Sequence, residues 1–427
     1  MSVAKLSIAF FLQMFVILAT CRLLGWLGHR YLKQPQVVCE MIAGVLLGPS
    51  LFGLVAPEWQ KFLFPPETKG VLYVGAQFGV GLYMFLVGLG FRGDHFRSNL
   101  RKAAAVSVSG MLVPFAIALV GTPWLMKVPG LFAATASQFQ ATLFMGAAIA
   151  ITAFPMLARI IHERGLSHTA LGTLSLSAGA IDDAAAWCVL AIVLASFGAG
   201  PGVAIVAIAG GIVFATFMLV LGPRLLAPLG RAAEREQALG RPLGPTLLAI
   251  TLMLFMLSAF TADAIGLHAV FGGFLLGTVM PRGAYAEQIK RLLEPFTVVL
   301  LLPMFFTYSG LNTQLTMVNS GELLLIAGGV LVASIAAKFG ACWAAARLSG
   351  QDNRTALGIG ALMNSRGLME LIIINIGLQA GVIGPALFSM LVLMAIVTTL
   401  MASPLFEWVY GREARASGEL GALEAQG

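Results

Sequence analysis

The sequence predicts an all-α polytopic membrane protein with about 13 transmembrane helices. Three observations carry that prediction. Of 427 residues, 59% are hydrophobic and only 11% charged, where a soluble domain has roughly 25% charged residues. The apolar residues come in continuous runs, without the period-two alternation of a membrane barrel. Lysine and arginine fall between those runs, with a strong bias to alternate gaps. Too little of the chain is polar for disorder. Its 49 glycines follow no Gly-X-Y period, which excludes collagen.

The apolar segments lie near 6–27, 37–54, 71–91, 103–125, 138–158, 169–196, 203–222, 246–262, 267–280, 295–311, 322–346, 355–379 and 385–409. Of the 26 lysines and arginines, 19 follow odd-numbered spans or lie in the C-terminal tail. Only Lys5, Lys61, Lys69 and Lys127 fall on the other side, and Arg22, Lys338 and Arg366 fall within spans. The positive-inside rule then puts the N-terminus outside and the C-terminus in the cytoplasm. The net charge of +7 is distributed over loops and forms no basic stripe, so the expected partner is a lipid bilayer and not nucleic acid. Short loops and no targeting extension suit a bacterial cytoplasmic membrane, with a plastid membrane as the alternative.

Cys21, Cys39, Cys188 and Cys342 sit in or beside apolar runs with no C-x-x-C. Neither zinc nor redox chemistry is signalled, and no cofactor is expected. Leu18-Ala19-Thr20-Cys21 faintly suggests a lipoprotein cleavage site, but the apolar run continues past it, so the segment reads as a retained first helix. Residues 223–245 are basic and hold Pro223, Pro228, Pro242 and Pro245. They read as the longest loop, a hinge between two halves. Residues 411–427 read as a short, disordered cytoplasmic tail, with no nucleotide-binding domain after the membrane part.

Charges inside spans are expensive and mark function by default. Asp182 and Asp183 lie mid-way along the sixth span. As neighbours on a helix they point about 100° apart, so one can face an ion cavity while the other meets a neighbouring helix. Lys338, mid-way along the eleventh span, needs an anion, and an aspartate of the sixth span is the natural one. Two spans look broken. The fifth contains Thr152-Ala153-Phe154-Pro155, and the twelfth contains Met363-Asn364-Ser365-Arg366-Gly367. Unwound backbone at membrane depth lines a cavity or is buried in protein, and paired breaks in two halves are the pattern of an inverted-repeat transporter. Glu370 either lines the cavity or pairs with Arg366 at i,i+4 spacing. Glu40 reads as a carboxylate opening the second helix, favoured by the helix dipole. His29, His95, His162 and His168 lie in or near cytoplasmic loops and read as solvated residues or pH sensors.

Residues 152–159 (Thr-Ala-Phe-Pro-Met-Leu-Ala-Arg), 180–187 (Ala-Ile-Asp-Asp-Ala-Ala-Ala-Trp), 363–371 and 40–50 together resemble the monovalent cation:proton antiporters of the sodium/hydrogen exchanger superfamily. The branch resembled most is that of the plant cation/proton exchangers. The resemblance covers about residues 6–410. It implies 13 helices in a homodimer. A dimerisation scaffold (about 6–91 and 246–311) and a mobile transport core (about 103–196 and 322–410) would be joined by a linker helix (about 203–222), with the fifth and twelfth helices broken and crossing. By position, Asp183 matches the essential ion-binding aspartate, and Asp182 the aspartate that pairs with the core lysine, here Lys338. Thr152 sits where a break residue offers oxygen to the ion. Ala153, Phe154, Pro155, Asn364, Ser365, Arg366 and Glu370 are the further cavity candidates. Many plant relatives have Asn before the essential Asp. The double aspartate with lysine usually accompanies electrogenic exchange. The glutathione-gated potassium efflux members have Gln there and a cytoplasmic nucleotide-binding domain, unlike this chain.

The expected activity is exchange of a monovalent cation, Na⁺ before K⁺, for protons competing at one site. Sodium-coupled symport of an organic anion on a related fold is the main rival. A potassium pore would need a Thr-Val-Gly-Tyr-Gly filter, which is missing. An intramembrane aspartyl protease needs two carboxyls that share a proton, and adjacent residues on one helix diverge too far.

Overall fold

The computed structural model describes residues 3–32, 36–90, 93–167, 169–194, 196, 201–311, 320–366 and 368–411. The expected tail beyond 411, Lys33, Arg92, His168 and Gly367 lie outside them. The chain is all-helical, and among the described residues the sole sheet-like pairing is an antiparallel bridge between Phe132 and Ile383. In order the helices are α1 (Val3–Leu27), α2 (Gln36–Leu47), α3 (Phe52–Val55), α4 (Pro57–Leu63), α5 (Pro66–Gly90), α6 (Gly93–Leu125), α7 (Gln138–Ala150), α8 (Phe154–Glu163) and α9 (Ala170–Leu194). There follow α10 (Pro201–Ala238), α11 (Pro245–Ala264), α12 (Ala269–Val279), α13 (Ala284–Phe296), α14 (Leu302–Leu311), α15 (Gly321–Leu348), α16 (Asn353–Met363), α17 (Leu368–Gln379) and α18 (Pro385–Val409).

Ten helical segments are long and apolar enough to cross a bilayer, counting Gln138–Glu163 as one. The sequence has thirteen apolar segments. The other three fall on the 11-residue α12, on the bent run from α13 through wide π-turns at Thr297–Leu301 into α14, and on the pair α16–α17. The chain is therefore multi-pass, with its shorter apolar helices concentrated where segments bend or break.

The expected loop at 223–245 is mostly helix. α10 runs 38 residues and carries Pro223 and Pro228 inside it. Each proline removes one backbone donor. Packing outweighs that loss, because Met218, Gly222, Leu226, Gly230 and Ala233 are buried at helical spacing along a face that meets α12 and α13. The segment after Pro281, read as loop, is likewise helical. α13 is strongly amphipathic and buries Tyr285, Ala286, Ile289 and Leu293.

Two packing groups emerge. In one, α5 lies along α12 and α14, α2 along α1 and α14, and α11 along α12. The α5–α12 crossing is close because a Cβ on Gly88 or Gly277 would strike the carbonyl of Phe274 or Phe85. In the other, α6 packs on α7, α9 and α15, while α18 packs on α15, α16 and α17. Here the order long helix, broken helix, long helix occurs twice, as α6–α9 and as α15–α18. The groups touch where α8 meets α2 and α5, where α14 meets α17, and through α10, which packs on both α9 and α12.

Candidate ion site at the helix crossing

α7 begins with a capping box, in which Ser137 accepts from the Gln140 amide and Gln140 accepts from that of Ser137. Its other end stops in the protein interior. Ile151 and Ala153 are extended with the non-helical Thr152 between them, and Pro155 sits in the first turn of α8, where its missing N–H costs nothing. α16 ends likewise at Met363, before Asn364, Ser365 and Arg366. The breaks cross in contact. Ala153 N donates to the Ser365 carbonyl at 3.0 Å. The Thr152 hydroxyl lies 2.9 Å from both the Met363 carbonyl and Asp182 Oδ2, and its single proton serves one at a time.

A helix end leaves carbonyls without intrahelical donors, and cations suit that end. Arg366 donates to the Ala148 carbonyl at 2.8 Å and the Ile149 carbonyl at 2.7 Å. Lys338 donates to the Ala150 carbonyl at 2.5 Å. Both cations are buried, and each has a carboxylate. Lys338 Nζ is 2.6 Å from Asp182 Oδ2. Arg366 Nη1 is 3.1 Å from Glu370 Oε1 and Nη2 is 2.6 Å from Ser334 Oγ. Of the two readings of Glu370, the structure has the pair with Arg366, although its Oε2 has no hydrogen-bond partner.

Asp182 is fully satisfied. Ser107 on α6 donates to Oδ1 at 2.6 Å, while Thr152 and Lys338 approach Oδ2. Asp183 differs. It is 1% exposed, yet its Oδ1 has no hydrogen-bond partner. The adjacent residues thus face different surroundings, as their 100° offset requires. Asn364 Oδ1 and Ser365 Oγ at the second break are also buried without partners. The crossing therefore brings together Asp182, Thr152, Lys338, Ala153, Ser365 and Arg366. Thr152 is engaged with Asp182 and not with Asp183. Phe154 points away from the charges and stacks edge-on against Phe274 of α12, with centroids 4.9 Å apart.

Ser107 was not anticipated, since one serine in an apolar run carries no distinguishing signal. Glu40 also differs from expectation. It lies in the second turn of α2, where the dipole has weakened, and is buried within the field of Arg159 of α8. His162 is on α8, 3.3 Å from Glu294. Among the described residues, no group of three or more His, Cys, Asp or Glu could hold a resident metal.

Residues 15–410 match the sodium/hydrogen exchanger transmembrane family. The chain belongs to that family. It is 39% identical over 402 residues to the Na(+)/H(+) antiporter NhaS4 of Synechocystis sp., covering 92% of this chain and 95% of that protein. It is 34% identical over 416 residues to Cation/H(+) antiporter 17 of Arabidopsis thaliana, covering 93% of this chain but spanning only 48% of that protein. Its fold matches the sodium proton antiporter MjNhaP1 of Methanocaldococcus jannaschii, with a TM-score of 0.66 over 98% of this chain and 99% of that one, at 14% identity.

Proposed function

We propose that the protein is a secondary transporter that exchanges a monovalent cation for protons, with Asp183 as the group both compete for. One observation carries the reading. Asp183 is a buried carboxylate with an oxygen lacking any donor, beside Asp182, whose two oxygens take donors from Ser107, Thr152 and Lys338. A buried polar atom without a partner is costly, and a proton or a cation would relieve it. The transported ion is substrate, not cofactor. Hard oxygen ligands suit it. Asp183 is the first, and Thr152 becomes available if Lys338 releases Asp182. The unpartnered oxygens of Asn364 and Ser365 and the carbonyls of the break add others.

In the cycle we infer, Lys338 holds Asp182 in the cation-free state. Cation arrival displaces the proton from Asp183 and draws Asp182 away, and Lys338 gives up its own proton. Two protons would then exchange for one cation, making transport electrogenic, with the potential contributing about 2.3 kcal/mol per 100 mV for the one net charge. Na⁺ is favoured by the aspartate pair, and the name of the cyanobacterial relative agrees. K⁺ is second, on the plant resemblance. The two packing groups support a division into scaffold (about 6–91 and 246–311) and moving core (about 103–196 and 322–410), joined by the linker helix α10, with alternating access by an elevator motion. A homodimer built on the scaffold in a bacterial cytoplasmic membrane, N-terminus outside, completes the reading. Symport of an organic anion would need a cationic pocket, and Arg366 is engaged by two carbonyls, Ser334 and Glu370.

The test is cation-induced proton movement in proteoliposomes carrying a luminal pH dye. Na⁺, K⁺ and Li⁺ are added in turn with the potential clamped. Proton release that follows one cation and vanishes in Asp183→Asn is the expected result. A variant that still exchanges would remove Asp183 from its role, and no cation-driven movement in folded wild-type protein would remove antiport.

A further inference from the structure

A second buried charge cluster lies away from the crossing, where α8 meets α2 and α5. Arg159 Nε and Glu163 Oε1, one turn apart on α8, are 2.6 Å from each other. Glu163 Oε2 also accepts from the Val37 amide at 3.4 Å, so a carboxylate of α8 sits at the N-terminus of α2, where the dipole favours it. Glu40 on α2 is buried and takes one hydrogen bond, from Gln36 at 3.2 Å, while its Oε2 has no partner. It interacts electrostatically with Arg159, Glu163 and Arg22. The buried hydroxyl of Tyr83 on α5 lies beside Arg159 and in the field of Glu163 and Glu294. At the rim, His162 of α8 meets Glu294 of α13 at 3.3 Å.

These side chains belong to both packing groups, and the orientation expected from the loop charges puts them toward the cytoplasmic side. Static adhesion is a poor explanation for them. A buried ion pair adds little net stability over an apolar contact, whereas drawing a buried charge away from its partners is strongly unfavourable. The Arg159–Glu163 pair stays within α8. What spans the interface is the Glu163–Val37 hydrogen bond, the His162–Glu294 contact and the field of Arg159 at Glu40 and Tyr83. Such an interface favours a few discrete positions and resists those between them.

We propose that Arg159 and Glu163 of α8, with Glu40 of α2 and Tyr83 of α5, form a charged latch that closes the cytoplasmic route to Asp183 and parts when the core moves. The latch rests on the exchange reading above. Its members touch no transported ion at the crossing and act as positioning residues. Opening lifts Glu163 from the α2 N-terminus and lets water reach Glu40 and Tyr83.

Cys39 provides the reporter. It is buried, next to Glu40 on α2, and lies in the field of Glu163. The experiment uses the full-length chain in inside-out membrane vesicles, with Cys21, Cys188 and Cys342 replaced by alanine. A membrane-impermeant maleimide is applied from the cytoplasmic side. Glu40→Gln and Glu163→Gln should each raise the Cys39 labelling rate about tenfold. Glu163→Asp, which keeps the charge, should restore most of the protection. The same ratios should hold with Asp183→Asn. A parallel chain retaining only Cys188, beside the Trp187–His268 stack (centroids 4.8 Å, interplanar angle 15°), is the control for general loosening. Unchanged Cys39 labelling in both glutamine variants, with folded protein, overturns the latch. So does an equal rise at Cys188. If wild-type protein moves no protons in response to cations, the exchange reading falls while the labelling ratios still report on the latch.

Discussion

At the first break, the carbonyls of Ala148, Ile149 and Ala150 are met by the cations Arg366 and Lys338. At the second, the carbonyls of Met363 and Ser365 are met by the hydroxyl of Thr152 and the amide of Ala153. Both breaks pose the same physical problem, an interrupted helix with open acceptors in a low-dielectric interior. One end is finished with charge and the other with neutral donors. The charged solution brings its own requirement, because each buried cation needs an anion. Asp182 serves Lys338 and Glu370 serves Arg366. The crossing is then balanced except beside it at Asp183, whose buried Oδ1 has no hydrogen-bond partner among the described residues. The asymmetry between the breaks therefore leaves one buried carboxylate oxygen beside the crossing without a donor.

The largest effect that would break this comparison comes from Arg366. Arg366→Ala strips donors from Ala148, Ile149 and Ser334 and leaves Glu370 buried without its cation. Removing one partner of a buried pair costs about 3–5 kcal/mol. We expect a marked loss of folded protein and a lower Tm in detergent, with part of the loss recovered in the double variant with Glu370→Gln. A melting curve like that of wild type would show that the first break does not depend on its cations.

The positions of both breaks were legible in the sequence. Pro155 marked one and the polar Asn364-Ser365-Arg366 stretch the other, and a buried lysine required an aspartate. What each cation does besides pairing was not legible. Arg366 reaches carbonyls 217 and 218 residues away, and no local pattern encodes which acceptors a fold delivers. Ser107 escaped notice for the same reason. The reading of 223–245 as a loop failed because it took Pro223 and Pro228 as breaks while the small and apolar residues at 222, 226, 230 and 233 kept helical period. Glu40 departs from a helix-start carboxylate because the charge acting on it, Arg159, comes from α8, more than a hundred residues on.

A sharper comparison separates the two hydroxyls on Asp182. Thr152 belongs to the first break and touches the second, whereas Ser107 stands outside both on α6. A hydrogen bond to a charged group is worth roughly 1.5–3 kcal/mol. Thr152→Val should raise the cation KM about tenfold, the equivalent of the lower figure. Ser107→Ala should raise it less, since Ser107 touches neither break while Thr152 can also donate to the Met363 carbonyl of the second. Equal effects would mean that the breaks do not communicate through Thr152.

The smallest effect is at the other end of α16. Asp352 caps that helix, accepting from the amides of Arg354 at 3.0 Å and Thr355 at 2.9 Å. Burial opposes its charge, but the hydrogen bonds from Thr355 and Arg354 outweigh it and hold the carboxyl below its ordinary range. A depressed carboxyl contributes stability that is present above its unfolded pKa and lost as pH falls through the folded one. Asp352→Ala should cost about 1 kcal/mol near neutral pH, and less in acid. Thermal melts at both pH values check this, and an unchanged gap between variant and wild type would remove the charge from the cap.

The length of α10 has a mechanical consequence. At 1.5 Å per residue its 38 residues span about 57 Å, against a hydrocarbon slab of about 30 Å. The connection between the two packing groups is thus a rod that carries two prolines rather than a tether. A tether absorbs an added residue by going slack. A rod turns its far end by about 100° for each one, so the phase in which α13 and α12 grip α10 is set by the residue count between them.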